Sequence, residues 1–361
     1  MAAVEDVDIE PREKEFEKVK ERNTDLLIQI AQLCNRPDRT YPEVVFLLGT
    51  PGAGKSAMVN TMVKALCGKY YSKALTGKGQ AQTKTLTLQS FVQCGIKKYD
   101  MEPLEKDILK KGLSKLPTII DAAGKGDEDS GRLKEILRAY FGGYVSPGTS
   151  IQFLDDKQSE HGIGSLQDHL ECSDENKVTK VIFVASCQES FPGNLVDCLQ
   201  SVLREYDDRS GKPKYPVDVF VVITKYDLVH DQKLYEAQTT GEKIVTEEVF
   251  KKFEAKVANH FSMEGSMESN CFRWVSYVDG HGSDNPYIDN IALRFIEKMM
   301  HLRRGHDYGK PTKKAAASKL KSKKESRDME IDGNWNGAIT FGVVVVILAI
   351  MIYYLLTKRA Y

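Results

Sequence analysis

The sequence contains no C-x-x-C pair. Its seven cysteines, at 34, 67, 94, 172, 187, 198 and 271, are scattered and odd in number. That spacing argues against a disulfide frame and against a zinc site, and it reads as free thiols in a reducing compartment. Net charge is lacking as well: 51 Lys and Arg balance 51 Asp and Glu. The molecule as a whole is therefore no polyanion binder, and no nucleic-acid partner is expected. The first stretch, MAAVEDVDIEPREKEFEKVKERN, is too charged for a secretory signal. No internal repeat is found. What is present is ordinary for a globular chain: 361 residues, 41% hydrophobic and 28% charged. That is enough for one large or two modest domains with a sizeable core.

Phe16, Val19, Leu26, Leu27, Ile30 and Leu33 recur near helical spacing, which predicts an N-terminal helix within 1–40 that packs on the domain after it, or serves a partner. Beyond it, short apolar runs alternate with helical stretches. Strands are expected at 44–49, 85–92, 118–121, 178–186, 217–224 and 272–277. Helices are expected at 55–66, 131–140, 194–206, 247–260 and 285–301. The alternation predicts an α/β domain over 41–302 with a mostly parallel central sheet, because uninterrupted apolar strands suit a sheet covered on both faces. The polar stretches 142–176 and 228–246 are expected to be insertions or loops.

One loop carries explicit chemistry. Gly49-Thr50-Pro51-Gly52-Ala53-Gly54-Lys55-Ser56 satisfies G-x-x-x-x-G-K-[ST] in full, after an apolar strand and before a helix. Glycines let successive backbone N–H groups face phosphate oxygens, and the helix N-terminus adds a field that favours anions. Lys55 is expected to reach the β- and γ-phosphates, Ser56 to ligate Mg²⁺, and Ala57 to complete the phosphate-binding set.

Later residues choose the nucleotide. The run LPTIIDAAG ends a strand at Asp121 and places Gly124 three residues on. An aspartate there holds Mg²⁺, and the glycine N–H meets the γ-phosphate. Thr224-Lys225-Tyr226-Asp227 follows another strand and fits [NT]-K-x-D. A carboxylate at Asp227 accepts from the N1 and N2 donors of guanine, a pair adenine lacks, while the Lys225 stem can lie across the ring. Ser276, after the last expected strand, is a candidate contact to the guanine edge. The threonine that closes over Mg²⁺ is Thr83 or Thr85, with Thr83 preferred because it lies furthest before the strand; Thr87 is assigned to the strand.

Together these residues resemble the large P-loop GTPases over about 44–300, and Gln82-Thr83-Lys84-Thr85 is similar to the switch of the immunity-associated AIG-type GTPases; the long spacing from Asp121 to Thr224 is similar to that of the interferon-inducible groups. The resemblance implies GTP and GDP as ligands with Mg²⁺, hydrolysis of GTP, a possible homodimer through the GTPase domain and a possible activating protein. The chain departs from the pattern in two places. Asp121-Ala122-Ala123-Gly124 lacks a Thr-Pro after the aspartate, and Lys125 stands where a water-orienting Gln is usual. Lysine has no acceptor for a proton of the attacking water, so slow intrinsic hydrolysis is expected. An arginine supplied in trans can add on the order of 10³–10⁵ in rate. The alternative is a nucleotide-gated receptor or scaffold that binds GTP with little or no hydrolysis.

The C-terminal end is of another kind. Residues 303–334 form a basic linker, and 337–356, GAITFGVVVVILAIMIYYLL, contain no charge. Twenty such residues rise roughly 30 Å, the thickness of a hydrocarbon core. Tyr353 and Tyr354 suit the interface, and Lys358 and Arg359 lie in the short tail 358–361. A transmembrane helix over 335–357 is expected, inserted after translation, with the lipid bilayer as partner. Positive charge before the span places the larger domain in the cytosol, at the endoplasmic reticulum or the mitochondrial outer membrane.

Overall fold

The apolar runs of the sequence become the interior of one six-stranded sheet. The computed structural model describes residues 9–37, 39, 42–68, 70, 84–87, 103–121, 126–127, 129–230, 245–261, 270–277 and 284–301. All of these belong to a unit that ends at Asp307; a second unit, 308–361, lies outside the described residues.

The strands are β1 (Val44–Leu48), β2 (Lys84–Thr87), β3 (Thr118–Asp121), β4 (Val178–Ser186), β5 (Asp218–Thr224) and β8 (Cys271–Arg273), in the order β2-β3-β1-β4-β5-β8. Among the described strands only β2 runs antiparallel to its neighbour; β3, β1, β4, β5 and β8 pair in parallel. Every residue of β1 and of β5 is buried, as a sheet covered on both faces demands. A short parallel pair, β6 (Val229–His230) with β7 (Val245–Thr246), stands apart.

Alternation along the strands divides the core. Val45 and Leu47, with Ile182, Val184, Phe220 and Val222, face one helical layer. That layer holds α1 (Ile9–Cys34), α2 (Lys55–Cys67), α3 (Pro103–Leu113) and α9 (Pro286–Met300). Phe46 points the other way, onto Tyr140 of α4 (Gly131–Gly142), with ring centroids 4.6 Å apart. Beside α4 lie α7 (Gly193–Leu203) and α8 (Glu247–Phe261), the latter through Phe261 on Phe183. Each such side chain, taken fully out of water, contributes roughly 1.5–3 kcal/mol.

The N-terminal helix is an integral part of this core. Leu27, Ile30, Ala31 and Cys34 are buried in the cluster, and Asn23 ties α1 to α9 through Pro286 O and Asn290. Gly112, inside α3, permits the crossing of α1: a Cβ there would lie 2.1 Å from the carbonyl oxygen of Ala31.

Several expectations are corrected. The stretch 142–176 is not all loop: it carries α5 (Ile151–His161) and the single turn α6 (Leu166–His169). Ser150 accepts from the N–H of Phe153 to start α5, and Ile151, Leu154 and Gln158 bury one narrow side of it. The Glu135 carboxylate of α4 pins both, accepting from the Gln158 amide at 2.6 Å and from the Leu166 N–H at 2.7 Å. Likewise 228–246 contains β6 and β7. The last strand stops at Arg273, so 274–277 leave the sheet. The expected transmembrane run 337–356 lies outside the described residues, among which no helix is long and apolar enough to cross a membrane.

Candidate functional site

In this strand order the chain leaves β1 toward β2 and β3 on one side and leaves β4 toward β5 and β8 on the other, so the order reverses between β1 and β4. That reversal is a switch point, the place where open α/β sheets take their ligands. The 49–56 loop lies there. Gly52 and Gly54 hold φ of 82° and 90°, angles that side-chain-bearing residues rarely adopt. Gly49 is fixed for a different reason: a Cβ would stand 2.2 Å from the Val184 carbonyl oxygen. Helix α2 begins at Lys55, with Gly54 at its cap.

Lys55 folds back over the loop. Its ammonium donates to Gly49 O at 3.0 Å and Thr50 O at 2.9 Å. Burial pushes its pKa below that of an ordinary lysine, against the pull of Asp121 and Glu189. Ser56 donates its hydroxyl proton to Asp121 Oδ2 at 2.8 Å, so the end of β3 and the start of α2 bring two hard oxygens together. This donor set fits a magnesium ion, which takes few protein oxygens and keeps water or phosphate in the remaining positions.

The strand end at Thr224 locks the second loop onto the first. Thr224 is 1% exposed, and its hydroxyl donates to Ala53 O at 2.6 Å and lies 3.3 Å from Ala185 O. Thr224 thus holds the loop in register from behind. Lys225 then adopts φ 61° and ψ 33°, the left-handed region that disfavours a side chain. The Cys187 thiol donates to its carbonyl at 3.3 Å, and Tyr226 N donates to Trp274 O. The bend presents Asp227 as an exposed carboxylate. Burial, with Asp227 adding to it, pushes Cys187 up to about 11.

The third loop is built on α2. Tyr277 N donates to Thr61 Oγ1 at 2.9 Å, and the Lys64 ammonium reaches Tyr277 Oη at 3.0 Å and Asp289 Oδ2 at 2.8 Å. Ser276 Oγ accepts from the indole N–H of the buried Trp274 at 3.0 Å. Arg273 braces the outer side: it makes a double hydrogen bond to Glu254 and lies 5.3 Å from the Tyr226 ring centroid.

The structure therefore gathers Gly49, Gly52, Ala53, Gly54, Lys55, Ser56, Ala57, Asp121, Thr224, Lys225, Asp227 and Ser276 along one edge of the sheet. Thr83 and Gly124, with Lys125, lie outside the described residues; Thr85 and Thr87 are both within β2. Two participants had no sequence signal. Glu189, after β4, has Oε2 3.3 Å from Thr50 Oγ1, from which it accepts. Asp127 caps α7 by accepting from Leu195 N at 2.9 Å, which ties the segment after Asp121 to that helix.

Neither a family model nor a curated protein matches the sequence. Solved structures are similar to it. A dimerization-deficient mutant of Toc33 from Arabidopsis thaliana is 12% identical, with 79% of this chain and 94% of that one covered at a TM-score of 0.39. Toc33 in complex with GDP and Mg²⁺ is 10% identical at the same coverage and score. An ADP-ribosylation-factor-like GTP-binding protein, the small COPII coat GTPase SAR1 of Encephalitozoon cuniculi in complex with GDP, is 14% identical, with 81% and 94% covered at 0.29.

Proposed function

We propose that the chain binds GTP and GDP with Mg²⁺ at this edge, hydrolyses GTP slowly, and acts as a nucleotide-controlled switch on the cytosolic face of a membrane. The observation that carries the reading is the Thr224 hydroxyl on Ala53 O. It makes one rigid piece of a loop suited to phosphates and a T-K-x-D bend suited to guanine. Within that piece Lys55 exchanges its loop carbonyls for phosphate oxygens. Ser56 and Asp121 hold the magnesium, which supplies charge neutralisation at the phosphates. Asp227 accepts from the two guanine donors, and Lys225 covers the ring. Ser276 closes the edge of the base.

Slow turnover follows from Lys125 beside Gly124. Help is then required, from a second copy of the domain or from an activating protein. The uncharged run 337–356 and the basic linker before it support attachment to a bilayer, at the endoplasmic reticulum or the mitochondrial outer membrane. The same Lys125 motivates a second reading, a membrane scaffold gated by GTP that barely hydrolyses it.

The test titrates the purified full chain with GTP, GDP and ATP plus Mg²⁺, then follows GTP turnover at several protein concentrations. Guanine-selective binding with turnover that rises with concentration supports the assembling GTPase. Guanine binding with near-zero turnover at every concentration supports the scaffold. Equal or tighter binding of ATP refutes both.

A further inference from the structure

The loop at 49–56 is shaped to attract anions, yet a carboxylate lies across its tip. Glu189 Oε2 accepts from Thr50 Oγ1 at 3.3 Å, and Oε1 stands 3.1 Å from where a Cβ on Gly52 would be. The two contacts straddle Pro51. The backbone that carries it is held in a turn: Glu189 N donates to Ser186 O, and Gln188 N donates to Ser186 Oγ. Ser186 ends β4, the strand beside β1. The Lys55 ammonium, which feels the Glu189 charge, donates to two loop carbonyls. The carboxylate thus sets a negative charge beside the tip of the loop.

We propose that Glu189 is a specificity-determining counter-charge, one that holds down affinity for the triphosphate more than for the diphosphate. The inference rests on the nucleotide reading above. Repulsion grows with the charge of the ligand, and a magnesium triphosphate carries about one more negative charge than the diphosphate. In a partly screened site one removed charge is worth on the order of threefold per ligand charge.

The test compares the full chain with Glu189→Gln, which keeps an acceptor for Thr50 and removes only the charge, and with Glu189→Ala, which removes both. Affinities are measured for GTP, GDP, ATP and ADP, each with Mg²⁺, and for inorganic tripolyphosphate, at low and high salt. Glu189→Gln is expected to tighten GTP by about tenfold and GDP by about threefold, with the gap closing as salt rises. Glu189→Ala separates the brace: if loss of the Thr50 contact matters, it gains less than Glu189→Gln. A Gln variant that binds both nucleotides as the parent does, tightens both equally, or weakens GTP overturns the proposal. A parent without guanine preference, in which Glu189→Gln still favours tri- over diphosphates of both bases, refutes the guanine reading and leaves this inference standing. A parent that binds neither nucleotides nor tripolyphosphate overturns both.

Discussion

Thr224→Val removes one hydroxyl and keeps the shape of the side chain. In the native fold that hydroxyl reaches the Ala53 carbonyl at 2.6 Å, where Ala53 itself is 0% exposed. The valine leaves a buried carbonyl without that donor, at a cost of about 1–3 kcal/mol. The unit that ends at Asp307 has an unfolding entropy near 0.6 kcal/mol/K by the usual per-residue value, so Tm is expected to fall by about 2–5 °C. Nucleotide affinity is expected to fall further, by at least about tenfold, because the base loop and the phosphate loop lose their common anchor. Thr224→Ser keeps the donor and gives up one methyl, so it should stay within about 1 kcal/mol of the parent. Thermal unfolding and nucleotide titration of the three proteins decide the matter. A valine variant that melts and binds like the parent, or a serine variant as impaired as the valine, refutes the anchoring role.

Three further outcomes are expected. Gly49→Ala drives a Cβ against the Val184 carbonyl, 2.2 Å away, and should cost more than about 3 kcal/mol, read as loss of soluble, cooperatively melting protein. Lys64→Met strips the buried partner of Asp289 and should destabilise by about 3 kcal/mol, whereas the paired change with Asp289→Asn should recover part of the loss in a double-mutant cycle. Burial pushes the thiols of Cys34 and Cys187 up to about 11 and that of Cys271 up to about 12. The folded state therefore keeps these protons when the unfolded chain has released them. The stability they contribute is complete below the ordinary thiol pKa and is lost as pH rises from about 9 through about 11 for Cys34 and Cys187 and about 12 for Cys271. Unfolding by denaturant across that window should show the decline, and Cys34→Ala should make it shallower, leaving the part due to Cys187 and Cys271.

The parts of the fold that were legible are those whose cause is local. Strands β3 and β4 fall at 118–121 and 178–186, as expected, because burial on both faces writes itself as an unbroken apolar run. The shapes of the 49–56 loop and of the bend at T-K-x-D are legible because glycine spacing and side-chain order determine them. Helix α3 was missed: PLEKDILKKGL is short and contains Gly112, an unfavourable helix residue whose reason lies 81 positions away in the approach of Ala31. Helix α5 was missed because its buried side is only three residues wide in a mainly polar stretch. Within the site the same division holds. Glu189 meets Thr50 across 139 positions, and Lys64 meets Tyr277 across 213; no periodicity in one segment records a partner in another. Thr224 is legible as the first residue of T-K-x-D, but the contact of its hydroxyl with the loop backbone at Ala53 is not.

The most direct test of the central claim is a change of base. Guanine offers two N–H donors to the Asp227 carboxylate. Xanthine has a carbonyl at C2 and offers one donor and one acceptor, the complement of an asparagine amide. The full chain and Asp227→Asn should be titrated in parallel with GTP and xanthosine triphosphate in the presence of Mg²⁺. The account predicts that the parent prefers GTP and that the variant inverts the preference, with a swing of at least about a hundredfold in the affinity ratio. A variant that keeps the parent's affinity for GTP, with no gain for xanthosine triphosphate, would mean that Asp227 does not read the base and that the edge of this sheet is not a guanine site.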